Sequence, residues 1–394
     1  MISSRRTIKS LTALFVAMIF AFAGNALVVS SIGVILKQLN VNEILIGVIN
    51  AIFFIGAMIS TISSHRVISK IGHIRAFGLF SAVFSICIIL HSIKDEIYFW
   101  IILRFFLGYC YYGLLMTMES WINEKAKNSV RSRVLSFYEI VFYLSFGSGI
   151  LLIGLNFSSH VLFMIAACFI MFSCVPLNLI RIKEPILPEK TPISLPKFFD
   201  IAPLALVGSF IGGMLMNGFF SMASVFAILQ NFSIKEVSYF LFSAMIGGFL
   251  GQSIIGIVSD KFGRKFAIII ACFVAIFGCV GFLFVKLNIF FYCILSIILG
   301  SGVFCLYALS LARANDMLED KTKCVELGRA VLFAYSIGSF IAPLFLGLLM
   351  QLFKGDGFIW FYIANLAFLI IFASNKPNTK GIHLINIKKF QGSF

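Results

Sequence analysis

A chain of 394 residues that is 60% hydrophobic and only 12% charged has more apolar surface than one water-facing core can hide, which excludes an ordinary soluble domain. Its formal net charge of +15 would suit a nucleic-acid partner, so the placement of the 31 basic residues matters more than their sum. Apolar segments near the bilayer-crossing length of about 20 residues recur between Leu11 and Ser374, and lipid is the expected solvent.

In chain order, twelve membrane spans are expected at residues 11–36, 44–64, 76–93, 97–118, 134–156, 160–180, 201–229, 237–258, 266–285, 288–312, 330–352 and 358–374. The first follows Arg5, Arg6 and Lys9 and contains "AFA" at residues 21–23, a pattern shared with secretory leaders. Its apolar run continues to Leu36, and its loss would leave an odd number of spans, so a retained span is expected. Twenty-five basic residues fall in the seven segments that an inside N-terminus places in the cytoplasm. The outside loops hold only Lys37, Lys94, Lys235, Lys286 and Lys354, and Arg104 falls within a span. That alternation predicts an N-in/C-in multi-pass protein of the plasma membrane and accounts for the charge without nucleic acid.

Between the sixth and seventh spans, "RIKEPILPEKTPISLPKFFD" holds four of the eight prolines and reads as a linker. The expected organisation is a six-helix half at 1–180, a cytoplasmic linker at 181–200 and a second six-helix half with a short cytoplasmic tail at 201–394. A shift of about 192 residues superposes the halves. "ILKQLNVNEILIGVINA" from Ile35 lies over "ILQNFSIKEVSYFLFSA" from Ile228, pairing Glu43 with Glu236 and Ala51 with Ala244. Lys70 and Gly72 then meet Lys261 and Gly263, and Leu107 and Gly108 meet Leu299 and Gly300. Such a repeat predicts two pseudo-symmetric bundles about an axis along the membrane normal, with a site where they face each other.

Charge is concentrated in "GIVSDKFGRK", residues 256–265, in the connection between spans eight and nine. Gly256 suits close approach of a neighbouring helix and Gly263 a tight turn, while Lys261, Arg264 and Lys265 hold the segment at the membrane surface. The pattern G-x3-D-[RK]-x-G-R-[RK], the twelve spans, the duplicated halves and "RFFLG" at Arg104 to Gly108 resemble the major facilitator superfamily over essentially the whole chain. R-x14-E-S from Arg104 to Ser120 and "GQSIIGIVSDKFGR" resemble its bacterial YcaD-like subgroup.

This resemblance implies that Asp260 engages the start of span five, where helix N-terminal charge attracts an anion and Arg131 or Arg133 adds a salt bridge that closes the cytoplasmic side. The plainer reading is that these charges only anchor topology. In the first-half copy His65, Ser69 and His73 replace the glycine, the acid and the arginine, while Lys70 and Gly72 are kept. An asymmetric gate held mainly by Asp260 is therefore expected.

A lone arginine at the bilayer centre costs at least about 2.5–3.5 kcal/mol, so Arg104 should face protein or water. On a helix it shares a side with Gly108, Tyr111, Leu115 and Glu119. That side reads either as a cavity wall that binds substrate or relays protons, or as a structural staple between helices. Glu139, with Tyr143 one turn on, is the first candidate for proton coupling, although it could equally reach the surface or pair with Arg133. Glu119 is the second, nearer its helix end. Asn25, Asn217, Gln252, Tyr307 and Tyr335 are further cavity candidates alongside Arg104, Tyr111 and Tyr143, and interhelical hydrogen bonds would explain any one of them as well.

Eight of the nine cysteines lie in expected spans without CxxC spacing, so neither a disulfide framework nor a metal site is expected. No HExxH, P-loop or GxSxG motif occurs, which argues against an enzyme, a bound cofactor and ATP as the energy source. The resulting expectation is a monomeric secondary transporter of a small solute, coupled to protons. Span five reads "FGSGILLIG" without the glycine-proline pair that the resemblance associates with drug/proton antiporters, which weakens the alternative of drug or metabolite efflux. A transporter-shaped sensor or scaffold is the alternative from another class.

Overall fold

The computed structural model describes residues 2–94, 96–125, 131–179, 199, 202–285, 288–318 and 324–378. Among the described residues there are no strands, and twelve helical spans are long and apolar enough to cross a membrane. Six helices come first: α1 (Ile2–Gln38), α2 (Glu43–Ile71), α3 (His73–Ile93), α4 (Ile97–Lys125), α5 (Arg131–Leu151) and α6 (Ser159–Asn178). Seven follow: α7 (Pro203–Leu229), α8 (Ile234–Phe262), α9 (Arg264–Phe284), α10 (Ile289–Val303), α11 (Leu306–Met317), α12 (Cys324–Phe353) and α13 (Gly355–Ser374). The expected linker at 181–200 lies outside the described residues except for Phe199.

Helices are the natural state of these segments, because in hydrocarbon every backbone polar group must be satisfied within its own segment. Side chains finish the ends. Asn42 caps α2, its Oδ1 accepting from the Leu45 N–H at 2.9 Å. Before α8, Glu236 Oε2 accepts from the Ser233 N–H at 2.8 Å while Ser233 Oγ accepts from the Glu236 N–H at 3.4 Å, a reciprocal capping box. Glu43, the repeat partner of Glu236, pairs instead with Lys37.

Two of the expected span boundaries need correction. The segment joining spans eight and nine is a single-residue turn: α8 runs on to Phe262, α9 starts at Arg264, and Gly263 between them has φ 99°. Gly72 makes the same turn between α2 and α3 at φ 86°. The flanking charged residues are adequate helix formers, and only the turn itself requires the left-handed region that glycine reaches freely. Span ten, expected as continuous, is broken at Phe304 and Cys305 into α10 and α11. Gly300 and Gly302 weaken the helix just before the break, and the Cys305 Sγ–H is directed at the carbonyls of Ser301 and Gly302.

The chain divides into two compact units, Met1–Glu189 with Asn231–Phe242, and Lys190–Gln230 with Ser243–Phe394. In the first, α1 packs on α5 and α6, α2 on α4, and α3 on α4 and α6. In the second, α7 packs on α12, α11 and α13, and α9 packs on α10, α11 and α13. Glycines set the closest contacts. A Cβ on Gly56 would overlap the Phe105 carbonyl oxygen, and one on Gly108 the Phe53 carbonyl oxygen, so α2 and α4 meet backbone to backbone. Gly247 against Ile297 and Gly300 against Ala244 repeat that contact between α8 and α10. The pairing of Gly108 with Gly300 in the sequence repeat thus corresponds to one helix contact made twice.

Overpacking at such a contact leaves no side chain to give way. Gly108→Val and Gly300→Val should each cost about 3 kcal/mol or more, read as loss of the monodisperse detergent-solubilised species and a lower unfolding temperature. Gly78, whose added Cβ meets nothing within 4 Å, should accept alanine within about 0.5 kcal/mol.

Candidate functional site

The α8–α9 turn gathers charge around Arg264, in the second unit. Its Nη1 donates to Asp260 Oδ1 at 2.6 Å and to Ser259 Oγ at 2.9 Å, and its Nε donates to Asp316 Oδ2 on α11 at 2.8 Å. Asp260 and Lys261 belong to the last turn of α8, and Arg264 and Lys265 to the first turn of α9. Arg264 is therefore a hub between two carboxylates, a role beyond the surface anchor expected of it. Sequence reasoning misses Asp316, which lies past the expected end of span ten at residue 312. An acid in "ARANDM", immediately after an apolar run, is the available signal. Among the described residues a Cβ on Gly256 would meet no atom within 4 Å, so no close helix approach is seen at it there. The side chains of Arg131 and Arg133 lie outside the described residues.

The first-unit copy keeps the turn and loses the acid and the arginine. His73 opens α3, is buried, and places its Nε2 3.0 Å from Ser120 Oγ on α4, with its ring edge-on to Trp121. The first residue after each turn thus reaches the fourth span of its own unit, through a histidine–serine hydrogen bond in one case and an ion pair in the other. Ser69 Oγ donates to the Arg66 carbonyl, Lys70 is exposed and His65 is half-buried.

Within span four, Arg104 is 1% exposed. Its Nη2 donates to Asn50 Oδ1 on α2 at 2.8 Å, and its guanidinium lies 4.7 Å from the centre of the Phe53 ring. Tyr111 packs its ring near Phe53 and Phe84. Glu119 is fifteen residues from Arg104, about 22 Å along the helix, so the two do not meet. Glu119 instead accepts a hydrogen bond at 3.3 Å from the hydroxyl of Tyr138 on α5. Tyr138, missed in the sequence, directly precedes the half-buried Glu139; Asn25 and Tyr143 are buried on α1 and α5.

In the second unit three of the candidates come together. Asn217 Nδ2 on α7 donates to Ser339 Oγ on α12 at 2.7 Å, and Ser339 Oγ donates to the Tyr335 carbonyl at 2.8 Å. The Tyr335 and Tyr307 rings lie 4.8 Å apart, and the Tyr335 hydroxyl donates to Met216 Sδ. Gln252 is half-buried on α8. Among the described residues no group of three or more His, Cys, Asp or Glu side chains is arranged to hold a metal ion.

The family model described as Major Facilitator Superfamily matches residues 14–324 of this chain. The chain belongs to the major facilitator superfamily. A curated relative, an uncharacterized MFS-type transporter YcaD from Salmonella newport (strain SL254), is 24% identical over 343 residues, covering 85% of this chain and 87% of the relative. The same fold appears in a mutant of the nucleoside transporter NupG, with a TM-score of 0.77 at 12% identity over 92% of this chain and 98% of the other. A bacterial homolog of the human lysosomal transporter Spinster, inward-facing and unoccupied, gives a TM-score of 0.76 at 13% identity over 94% and 96%. This superfamily protein is accordingly a multi-pass membrane transporter and not an enzyme.

The two bonds of the Arg264 hub differ in worth. Arg264 and Asp316 expose only 15% and 13% of their side chains, whereas Asp260 exposes 69%. An exposed pair is worth about 0–1 kcal/mol, but removing one partner of a sheltered pair costs about 3 kcal/mol. Asp316→Asn should therefore lower the stability of this superfamily member by about 3 kcal/mol, and Asp260→Asn by less than about 1 kcal/mol, measured by thermal unfolding of the detergent-solubilised protein. Equal losses would show that Asp316 is not the principal partner.

Proposed function

We propose that the protein is a secondary active transporter that moves a small solute by alternating access and couples it to protons through Glu119 and Tyr138. The duplicated units and the family membership support the rocking cycle. The observation that carries the coupling is the hydrogen bond between Glu119 and Tyr138, which joins α4 to α5 through an exposed carboxylate in the last turn of the fourth span. An ionised Glu119 accepts from the Tyr138 hydroxyl. Once protonated, the carboxyl turns one oxygen into a donor and weakens the charge-assisted bond that linked the two helices. Protonation is thus tied to a helix contact, which is what coupling requires, and Glu139 beside Tyr138 supplies a second carboxylate.

Arg104, the one cation in the apolar part of α4, supports an anionic or zwitterionic solute through its long-range charge, its side chain being buried against Asn50 and Phe53. Asn217, Tyr307 and Tyr335 add amide and aromatic contacts, and Asp260 gates the cytoplasmic side. The N-in/C-in orientation follows from the basic residues, and a bacterial inner membrane from the relatives.

The test is proton flux into proteoliposomes holding a pH-sensitive dye, screened with pools of small organic anions, zwitterions and neutral compounds. An anionic or zwitterionic pool should drive proton movement. Glu119→Gln should reduce it at least about 100-fold, as expected for loss of the proton carrier, while retaining exchange of labelled solute without a proton gradient. Wild-type proton flux in Glu119→Gln would overturn the coupling assignment, and flux confined to neutral compounds would overturn the solute class.

A further inference from the structure

Beyond α13 the chain turns back onto the α8–α9 turn. Asn378 Nδ2 donates to the Phe262 carbonyl at 3.0 Å, Arg313 Nη2 on α11 donates to the Pro377 carbonyl at 2.6 Å, and Lys265 Nζ donates to the Ser374 carbonyl at 2.8 Å. A Cβ on Gly263 would lie 2.5 Å from Asn378 Oδ1, so the asparagine sits directly on the turn. All of these residues belong to the second unit.

Two of the three bonds fill a need created by a helix end. The last carbonyls of a helix have no intrahelical partner, and that end carries partial negative charge. Phe262 and Ser374 are the final residues of α8 and α13. The tail supplies the donor for α8 through Asn378, and the motif supplies the donor for α13 through Lys265. Arg313, buried at 1% exposure, grips the tail from the same helix whose Asp316 holds Arg264. The turn is thus held from one side by Asp316 through Arg264 and from the other by the tail that Arg313 fixes.

We propose that residues 374–378 form a clasp on the α8–α9 turn, with Lys265, Arg313 and Asn378 as positioning residues that keep Arg264 bridged between Asp260 and Asp316. Lys265 then acts inside the protein as well as at the membrane surface, and the tail is a working part of the gating motif. Opening the clasp frays the helix ends at the turn without unfolding the rest of α8 and α9.

Hydrogen exchange read by mass spectrometry on the full chain in nanodiscs tests this without any substrate. In Asn378→Ala and Lys265→Met, peptides covering residues 256–267 should exchange about tenfold faster, equivalent to about 1.4 kcal/mol, while peptides from α2 and α3 keep wild-type rates. Lys265→Arg, which keeps a donor, should restore slow exchange. A chain shortened to end at Ser374 should show the same local acceleration, and Asn378→Ala gives the answer alone where the shortened chain does not fold. Unchanged exchange across residues 256–267 in Asn378→Ala would overturn the clasp. Acceleration spread equally over α2 and α3 would also overturn it, because that reports loss of stability in the whole fold.

Discussion

In lipid, helices gain little from leaving their solvent, because the surrounding tails are as apolar as their own side chains; they associate through packing, hydrogen bonds and close backbone approach. The contact of Gly108 with the Phe53 carbonyl and of Gly56 with the Phe105 carbonyl is the local form of that constraint in the first unit. Gly300 and Gly247 impose it in the second. Once α2 and α4 lie backbone to backbone, Arg104 falls within reach of Asn50 and Phe53, and the cost of its burial is offset by a hydrogen bond and a ring face. The placement of the polar groups thus follows from where side chains are absent.

The two single-glycine turns show how a duplicated scaffold can diverge. Gly72 and Gly263 share a left-handed backbone and leave the next residue pointing at the fourth span of its unit. In one unit that residue is His73 on Ser120, in the other Arg264 on Asp316. The backbone constraint survives because only glycine meets it without strain, whereas the polar pair can be exchanged for any other that satisfies its own hydrogen bonds. At this turn divergence has changed the chemistry and spared the geometry.

Much of this was legible in the sequence. Twelve spans and the repeat follow from apolar length and spacing, and the turn at Gly263 from a glycine between charged helix ends. Gly256 permits a close approach without requiring one, so its neighbour could not be read from the sequence. Asp316 and Asn378 were illegible for a different reason: they lie 52 and 116 residues from the groups they serve, Arg264 and the Phe262 carbonyl, and no local spacing encodes such a meeting. Tyr138 was hidden by abundance, since aromatic residues are 15% of the chain and one more carries no information until its hydroxyl is placed. Several span ends fell short of the structure, the helices continuing into charged segments, because a water-facing helix end costs little once an apolar span has nucleated it.

The break at Phe304 and Cys305 gives span ten a joint where its counterpart in the first unit, α4, is one unbroken rod. On one side of the joint, Gly302 seats α10 against the Ala271 carbonyl of α9. On the other, α11 carries Tyr307, Arg313 and Asp316. Tyr307 of the aromatic pair and Asp316 of the charged turn therefore lie on one short helix, set off from α10 by the joint.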